Sequence, residues 1–219
     1  MIEGEKLGSF WGYTFAGVWQ EDDVNAPFVD ANGQTNGKTN GEVYKVKPGN
    51  SKYVDVNKDG VYNDADQGII GCGQPTFNWG WNNTFNYKNF DFSFFVVGFH
   101  GFDIYNATHQ MGYNLIKSQQ MAGVTPMREL LNRWTPTNTN TDIPGFVKGG
   151  TENKDFFSTR FVENGSFIKM KSITLGYTLP EATCRSLGIN NLRVYASVQN
   201  PFHITKYSGL DPEATMGSP

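Results

Sequence analysis

The chain has 219 residues, a formal net charge of −3, 38% hydrophobic and 15% aromatic residues, and 25 glycines. A mean hydropathy of −0.47 beside that aromatic content excludes a helical membrane protein and a disordered chain, and fits β structure joined by long polar loops. The 18 Lys and Arg residues are scattered rather than striped along one face, which argues against nucleic acid as a partner.

No run of about 18 apolar residues occurs, so no transmembrane helix is expected. The opening MIEGEKLGSF has neither the basic start nor the apolar core of a signal peptide, and none is expected within it. Gly8 to Gln20 then alternates Phe10, Gly12, Thr14, Ala16 and Val18 against Trp11, Tyr13, Phe15, Gly17 and Trp19, which predicts one glycine- and aromatic-rich strand. From Glu21 to Gly71 the chain is rich in Asn, Gly, Asp and Thr, with a short strand expected at Glu42 to Val46. A loop of that length is uncommon unless it is functional or ordered by something else.

Within it lies DVNKDGVYNDAD, Asp55 to Asp66. Aligned as a calcium loop, it places Asp55, Asn57 and Asp59 at the first three alternate positions and Gly60 at the sharp turn. The Val61 carbonyl, Asn63 and Asp66 follow at the later ligand positions. Hard oxygen donors at alternate positions suit Ca²⁺, although Asp66 stands where a longer, bidentate Glu is usual. A turn in which Asp and Asn cap their own backbone is the competing reading.

Phe77 to Tyr87 carries Phe77, Trp79, Trp81, Asn83, Phe85 and Tyr87 on one side and Asn78, Gly80, Asn82, Thr84 and Asn86 on the other. After Lys88 and Asn89 the alternation resumes with Phe90, Phe92, Phe94 and Val96, which predicts a tight hairpin. Each arm has about the ten or eleven residues that a tilted strand needs to cross a bilayer. Helical spacing follows at Ile104, Thr108, Met111 and Leu115, and again over Met127 to Trp134, before a loop from Thr135 to Asp155. A strand within Arg160 to Leu179 sets Ile173, Leu175, Tyr177 and Leu179 against Ser172, Thr174, Gly176 and Thr178. A short connection, Pro180 to Asn191, leads to a last strand with Leu192, Val194, Ala196 and Val198 against Arg193, Tyr195, Ser197 and Gln199. Long connections (Glu21 to Gln74, Gly101 to Ser158, and after Pro201) alternate with short ones, as in an outer-membrane barrel with short periplasmic turns and long extracellular loops. The fold class expected is therefore all-β, an antiparallel meander of five strands paired in sequence order.

The order GSFWGYTFAGVWQ, DVNKDGVYNDAD with IIG, PTFNWGWNNTFNYKNFDFSFFVVGFHGFDIYN, RWTP with NTDIP, FVENGSFIKMKSITLGYTLP and LRVYASVQNPFHITKYSGLDPE resembles the C-terminal barrel region of SusC/RagA-type TonB-dependent outer-membrane transporters. The likeness runs from Glu3 to Glu213. It implies that residues 1–219 are part of a 22-stranded transmembrane β-barrel, with plug, N-terminal strands and closing strand outside the chain. It also implies a SusD-like surface lipoprotein partner, the TonB complex acting on a missing N-terminal region, outer-membrane lipid around the barrel, and import of oligosaccharides or peptides.

No enzyme is expected. His100, His109 and His203 are far apart, and no HExxH, GxSxG or paired-carboxylate pattern accompanies them. Cys72 and Cys184 show no metal or redox spacing. Two function classes stay open: a segment of a nutrient-import barrel, and a soluble, calcium-stabilised β module binding glycans at the cell surface. A lipid-facing band must continue across neighbouring strands, here through Trp79, Trp81, Phe92, Phe94, Leu175, Val194 and Val198, whereas a glycan platform needs only two or three exposed rings.

Overall fold

The computed structural model describes residues 4–113, 127–145 and 156–213. Its strands are β1 (Ser9–Tyr13), β2 (Phe15–Val18), β3 (Pro27–Val29), β4 (Thr35–Thr39), β5 (Ser51–Tyr53), β6 (Gln67–Cys72), β7 (Phe77–Tyr87), β8 (Phe90–His100), β9 (Asp103–Tyr105), β10 (Val162–Asn164), β11 (Phe167–Thr178) and β12 (Arg193–Thr205). The described α-helices are short: α1 (Glu21–Asn25), α2 (Asn40–Tyr44), α3 (Ala107–Tyr113) and α4 (Glu181–Ser186). Two units divide the chain, Met1–Cys72 with Tyr105–Glu163 and Gly73–Ile104 with Asn164–Pro219.

The second unit is built on one antiparallel sheet in the order β12-β11-β8-β7. Its register turns four separate alternations into two continuous faces. Asn83 lies opposite Phe94, Phe94 opposite Ile173 and Ile173 opposite Val198; the next row is Phe85, Phe92, Leu175 and Ala196, and the next Tyr87, Phe90, Tyr177 and Val194. Trp81 and Val96 with Met170 and Phe202 extend the same face, as do Trp79 and Gly98 with Ile168 and Ile204. One apolar band thus spans all four strands. On the reverse face the rows read Asn82, Phe95, Ser172 and Gln199, then Thr84, Ser93, Thr174 and Ser197, then Asn86, Asp91, Gly176 and Tyr195.

Both short connections lie at one end. Lys88 takes the left-handed conformation that the two-residue turn demands (φ 53°), and Asn89 Nδ2 donates to the Thr178 carbonyl at 2.7 Å. Leu179 N donates to the Leu192 carbonyl beside it at 2.8 Å, with α4 between. At the opposite end the reverse face is covered. Val97, Phe102, Ile104 and Phe167 are buried there, with Phe95, Phe99 and Tyr207 packed against them.

The meander differs from expectation at its first member. Gly8 to Gln20 breaks at Thr14 into β1 and β2, which pair with β6 and β5 in the first unit and not with β7. Rings point to both sides of this stretch, and both sides are used: Tyr13, Val18 and Trp19 are all buried. Gly17, at φ 110°, takes a backbone conformation closed to other residues. Glu42 to Val46 is not a strand either. Thr39 and Glu42 form a capping box, each side chain bonding the other's backbone N–H, and start α2 instead. Met127 to Trp134 holds a short 3₁₀ turn, Arg128–Asn132, while Leu115 and residues 146–155 of the expected loop lie outside the described residues.

The last strand also runs further than expected. β12 continues through Pro201 to Thr205, because the register shift between Met170 and Ser172 leaves Asn200 and Pro201 without ladder partners. A proline without an N–H is tolerated at such a bulge, and Asn200 turns there at φ 48°.

Close packing on the apolar face depends on Gly98, where any Cβ would overlap the Trp79 indole. In the refolded protein, Gly98→Val is expected to lower stability by about 1–3 kcal/mol, the cost of overpacking, read as a drop in urea midpoint. Thr84→Val, on the reverse face, is expected to leave the midpoint unchanged.

Candidate functional site

The two-faced sheet is itself the principal candidate. β7 and β8 have 11 residues each, β11 12 and β12 13, long enough for tilted strands to cross a hydrocarbon layer. Trp81, Phe85, Leu175, Val194 and Val198 on the apolar face each expose about half their surface or more. The reverse face carries the charges and hydroxyls. Thr174 and Ser197 share a hydrogen bond at 2.9 Å. Arg193 donates to Asp91 from Nε at 3.0 Å and from Nη2 at 2.5 Å. That fork passes directly over Gly176, where a Cβ would sit 2.5 Å from the guanidinium and from the carboxylate.

A second charged group stands at the covered end of the same face. Lys169 Nζ lies 2.7 Å from both Asp211 Oδ2 and Glu213 Oε2, and Lys171 Nζ pairs with Glu213 Oε1. Burial alone would raise both carboxyls, but the Lys169 hydrogen bonds, joined at Glu213 by Lys171, hold them below the usual carboxylate range. Their contribution is thus present above the ordinary value near pH 4 and is lost as pH falls through the lowered folded-state values. The sequence reading missed this cluster. Lys169 sits on the polar side of the alternation, the one available signal, but its partners are more than forty positions away.

The proposed calcium donors come together as a compact turn in the first unit. Gly60 N donates to Asp55 Oδ2 at 2.9 Å, and so does the Tyr44 hydroxyl at 2.8 Å. Burial raises the Tyr44 pKa, helped by the same carboxylate, so its proton stays in place. Asp59 accepts from Val61 N, Asn57 Nδ2 and Asn63 Nδ2, and the Val61 N–H chiefly holds its carboxyl below the usual range. Asn63 caps the 3₁₀ turn Asp64–Asp66, while the buried Asp66 carboxylate accepts from Val56 N and Asn63 N, both at 2.9 Å. Gly60 is left-handed (φ 82°) and pressed against Val43. Most donors therefore close their own loop. Among the described residues no three acidic, His or Cys side chains converge on a metal-sized point. One buried oxygen of the set stands apart: Asp55 Oδ1 has no hydrogen-bond partner among the described residues.

Beside this turn a cavity of about 300 Å³ is lined by Tyr44, Tyr53, Tyr62, Phe156, Val43 and Val61, among others. Burial pushes the Tyr62 hydroxyl up to about 12. The three histidines stay apart in role. His100 ends β8 opposite Phe77 and His203 lies opposite Lys169 in the sheet, while His109 in α3 has Nδ1 3.4 Å from Glu163 Oε1.

Family profiles give no match to the chain. Among individual proteins it is 35% identical to TonB-dependent receptor P3 of Formosa agariphila over 97% of its own length and 19% of the relative's. It is 32% identical to TonB-dependent receptor SusC of Bacteroides thetaiotaomicron over 78% of its length and 16% of that protein's. Among solved structures, a RagAB peptide transporter covers 94% of the chain at TM-score 0.65 and 24% identity, with 20% of that chain matched. The chain belongs to the SusC/RagA-type TonB-dependent receptors. It spans about a fifth of the length of the relatives it matches, and the RagAB likeness places its fold as part of a transmembrane β-barrel. In a SusC/RagA-type barrel the apolar band faces lipid and the polar face looks into the lumen. These relatives are named receptors and transporters, not enzymes.

The turn geometry makes Asp66 structural whatever else binds. Asp66→Ala is expected to speed amide exchange at Val56 and Asn63 by roughly tenfold, since two hydrogen bonds to a buried charged acceptor are lost. Exchange mass spectrometry of the parent barrel in chelator, where no metal contributes, would show the acceleration from the two lost hydrogen bonds alone.

Proposed function

We propose that this chain is the C-terminal part of the barrel of a TonB-dependent importer, residing in the bacterial outer membrane and taking up oligosaccharides or peptides. A SusD-like surface lipoprotein partners the extracellular loops, and the TonB complex acts through an N-terminal region outside this chain. The observation that carries the reading is the unbroken apolar band across β7, β8, β11 and β12, backed by a polar wall in the same register. A glycan platform would need only two or three rings, so the band favours the wall of a conduit over a soluble module. The RagAB peptide transporter, by its name, supports the peptide class, and the oligosaccharide class rests on the resemblance in sequence alone. The wall itself performs no bond chemistry. Its part is to pair every backbone group inside lipid, exclude lipid from the lumen, and present polar side chains to a hydrated solute. Deleting the gene of the parent protein is expected to abolish growth on one oligosaccharide or peptide source while leaving growth on monomers intact. Unchanged growth on every such source would overturn the import reading.

We further propose that Asp55, Asn57, Asp59, Val61, Asn63 and Asp66 hold one structural Ca²⁺ in the extracellular loops. The buried Asp55 Oδ1, which accepts from no donor of the protein, favours this, because a buried polar oxygen left unpaired is costly. Calcium would supply the missing positive charge and add binding free energy to the ordered loop only. Calorimetry on the parent barrel is expected to show a calcium heat that Asp59→Ala removes. The same trace for both proteins would leave a self-capped turn.

A further inference from the structure

Beyond β12 the chain does not run out from the sheet. Tyr207 packs on the buried cluster of Val97, Phe102, Ile104 and Phe167, its ring lying against Gly209, where a Cβ would clash. Leu210 is then 97% exposed, while Pro212 is among the most deeply buried residues. The acids on either side of Pro212 meet Lys169 and Lys171 on the lumen face of β11. The segment is thus attached at two points, a ring at its start and an ionic clamp at its end.

We propose that Tyr207–Glu213 is a strap folded into the barrel mouth and latched to the inner wall by Lys169 and Lys171, so that the latch controls access to the wall beneath it. This rests on the barrel reading above, since only there is the polar face a lumen.

Two features make the clamp a latch rather than a permanent strut. The Lys169 side chain is only 7% exposed, whereas Asp211 and Glu213 are 35% and 32% exposed. Bringing the strap down desolvates the lysine and supplies its counter-charges in the same step; lifting it returns all of them to water. Such buried or half-buried pairs come close to balance between desolvation and attraction, so the ionic clamp itself differs little between the two states and the packing of Tyr207 and Pro212 is what opposes release. The exposed Leu210 adds no packing to hold the strap down. The wall is also shaped to receive the clamp. The β11 bulge between Met170 and Ser172 inserts Lys171 without a partner on β8, and both lysines reach Glu213.

The test uses the full-length parent in nanodiscs, with every native cysteine, Cys72 and Cys184 among them, replaced by Ser and Ser172→Cys introduced so that one lumen-facing thiol reports access. Labelling by a bulky, membrane-impermeant maleimide is expected to run roughly tenfold faster once Asp211→Asn and Glu213→Gln are added, as loss of a charge-assisted hydrogen bond predicts. Amide exchange over 207–213 should rise alongside, with β8 and β11 still protected, which separates release of the strap from unfolding of the sheet. Lys171→Gln, milder and on the wall side, should move both readings the same way. Unchanged labelling, or faster exchange without faster labelling, overturns the latch. If the labelling result holds while uptake by the parent is absent on every source, the strap stands and the import reading falls.

Discussion

Everything in the second unit follows from one constraint: a backbone inside hydrocarbon must find its hydrogen-bond partners within the protein. A sheet meets that demand only if neighbouring strands run together for the full thickness, and β7, β8, β11 and β12 do so for 11 to 13 residues each. Continuous pairing then fixes which side chains share a face. The period of two, weak evidence in any single strand, becomes strong when four strands in register put Phe94, Ile173 and Val198 in one row and Ser93, Thr174 and Ser197 in the row behind it. A slip of one residue would bring Asp91 and Arg193 to lipid.

This is also why the long strands were legible in the sequence and the first one was not. Where one face meets lipid and the other water, composition must alternate cleanly, and β7, β8, β11 and β12 were read with their faces correct. Gly8 to Gln20 has buried residues on both sides, Tyr13 and Trp19 on one and Val18 on the other, among rings such as Tyr53 and Phe156, so its pattern carried neither the break at Thr14 nor a facing. The end of β12 was hidden by Pro201, which signals a stop unless a bulge relieves it of its ladder bond. α2 was misread as a strand because Val43, Tyr44 and Val46 look β-like, although Thr39 and Glu42 three residues later spell a helix start. The Asp55–Asp66 turn was legible as a cluster of oxygens; which of them cap backbone and which stay unmatched required geometry.

Glycine acts on the wall where a side chain must lie across it. Gly98 lets the Trp79 indole lie flat on the lipid face, and Gly176 lets the Arg193 and Asp91 fork cross on the lumen face. Both allow a strand in the middle of the sheet to be spanned by its neighbours' side chains. Neither needs unusual backbone angles, so each follows from space rather than from conformational freedom.

The lumen face changes character along its length, and the asymmetry of the connections explains how. At the end with short turns the face is polar, with Asn86, Asp91, Gly176 and Tyr195 in one row. At the other end the chain leaves β8 and β12 with residues to spare, and those residues fold back. Phe102 and Ile104 after β8 and Tyr207 after β12 cover Val97, Phe99 and Phe167, which would be out of place on an uncovered polar wall. Lys169 belongs to the same logic: in a strand that crosses the bilayer it is tolerable because it points inward, and it is buried because the segment that covers it brings two carboxylates. Long loops at one end of a barrel thus do more than reach outward; they let that end of the wall carry buried apolar side chains and a buried lysine, whereas the Asp91 and Arg193 pair at the other end stays partly exposed.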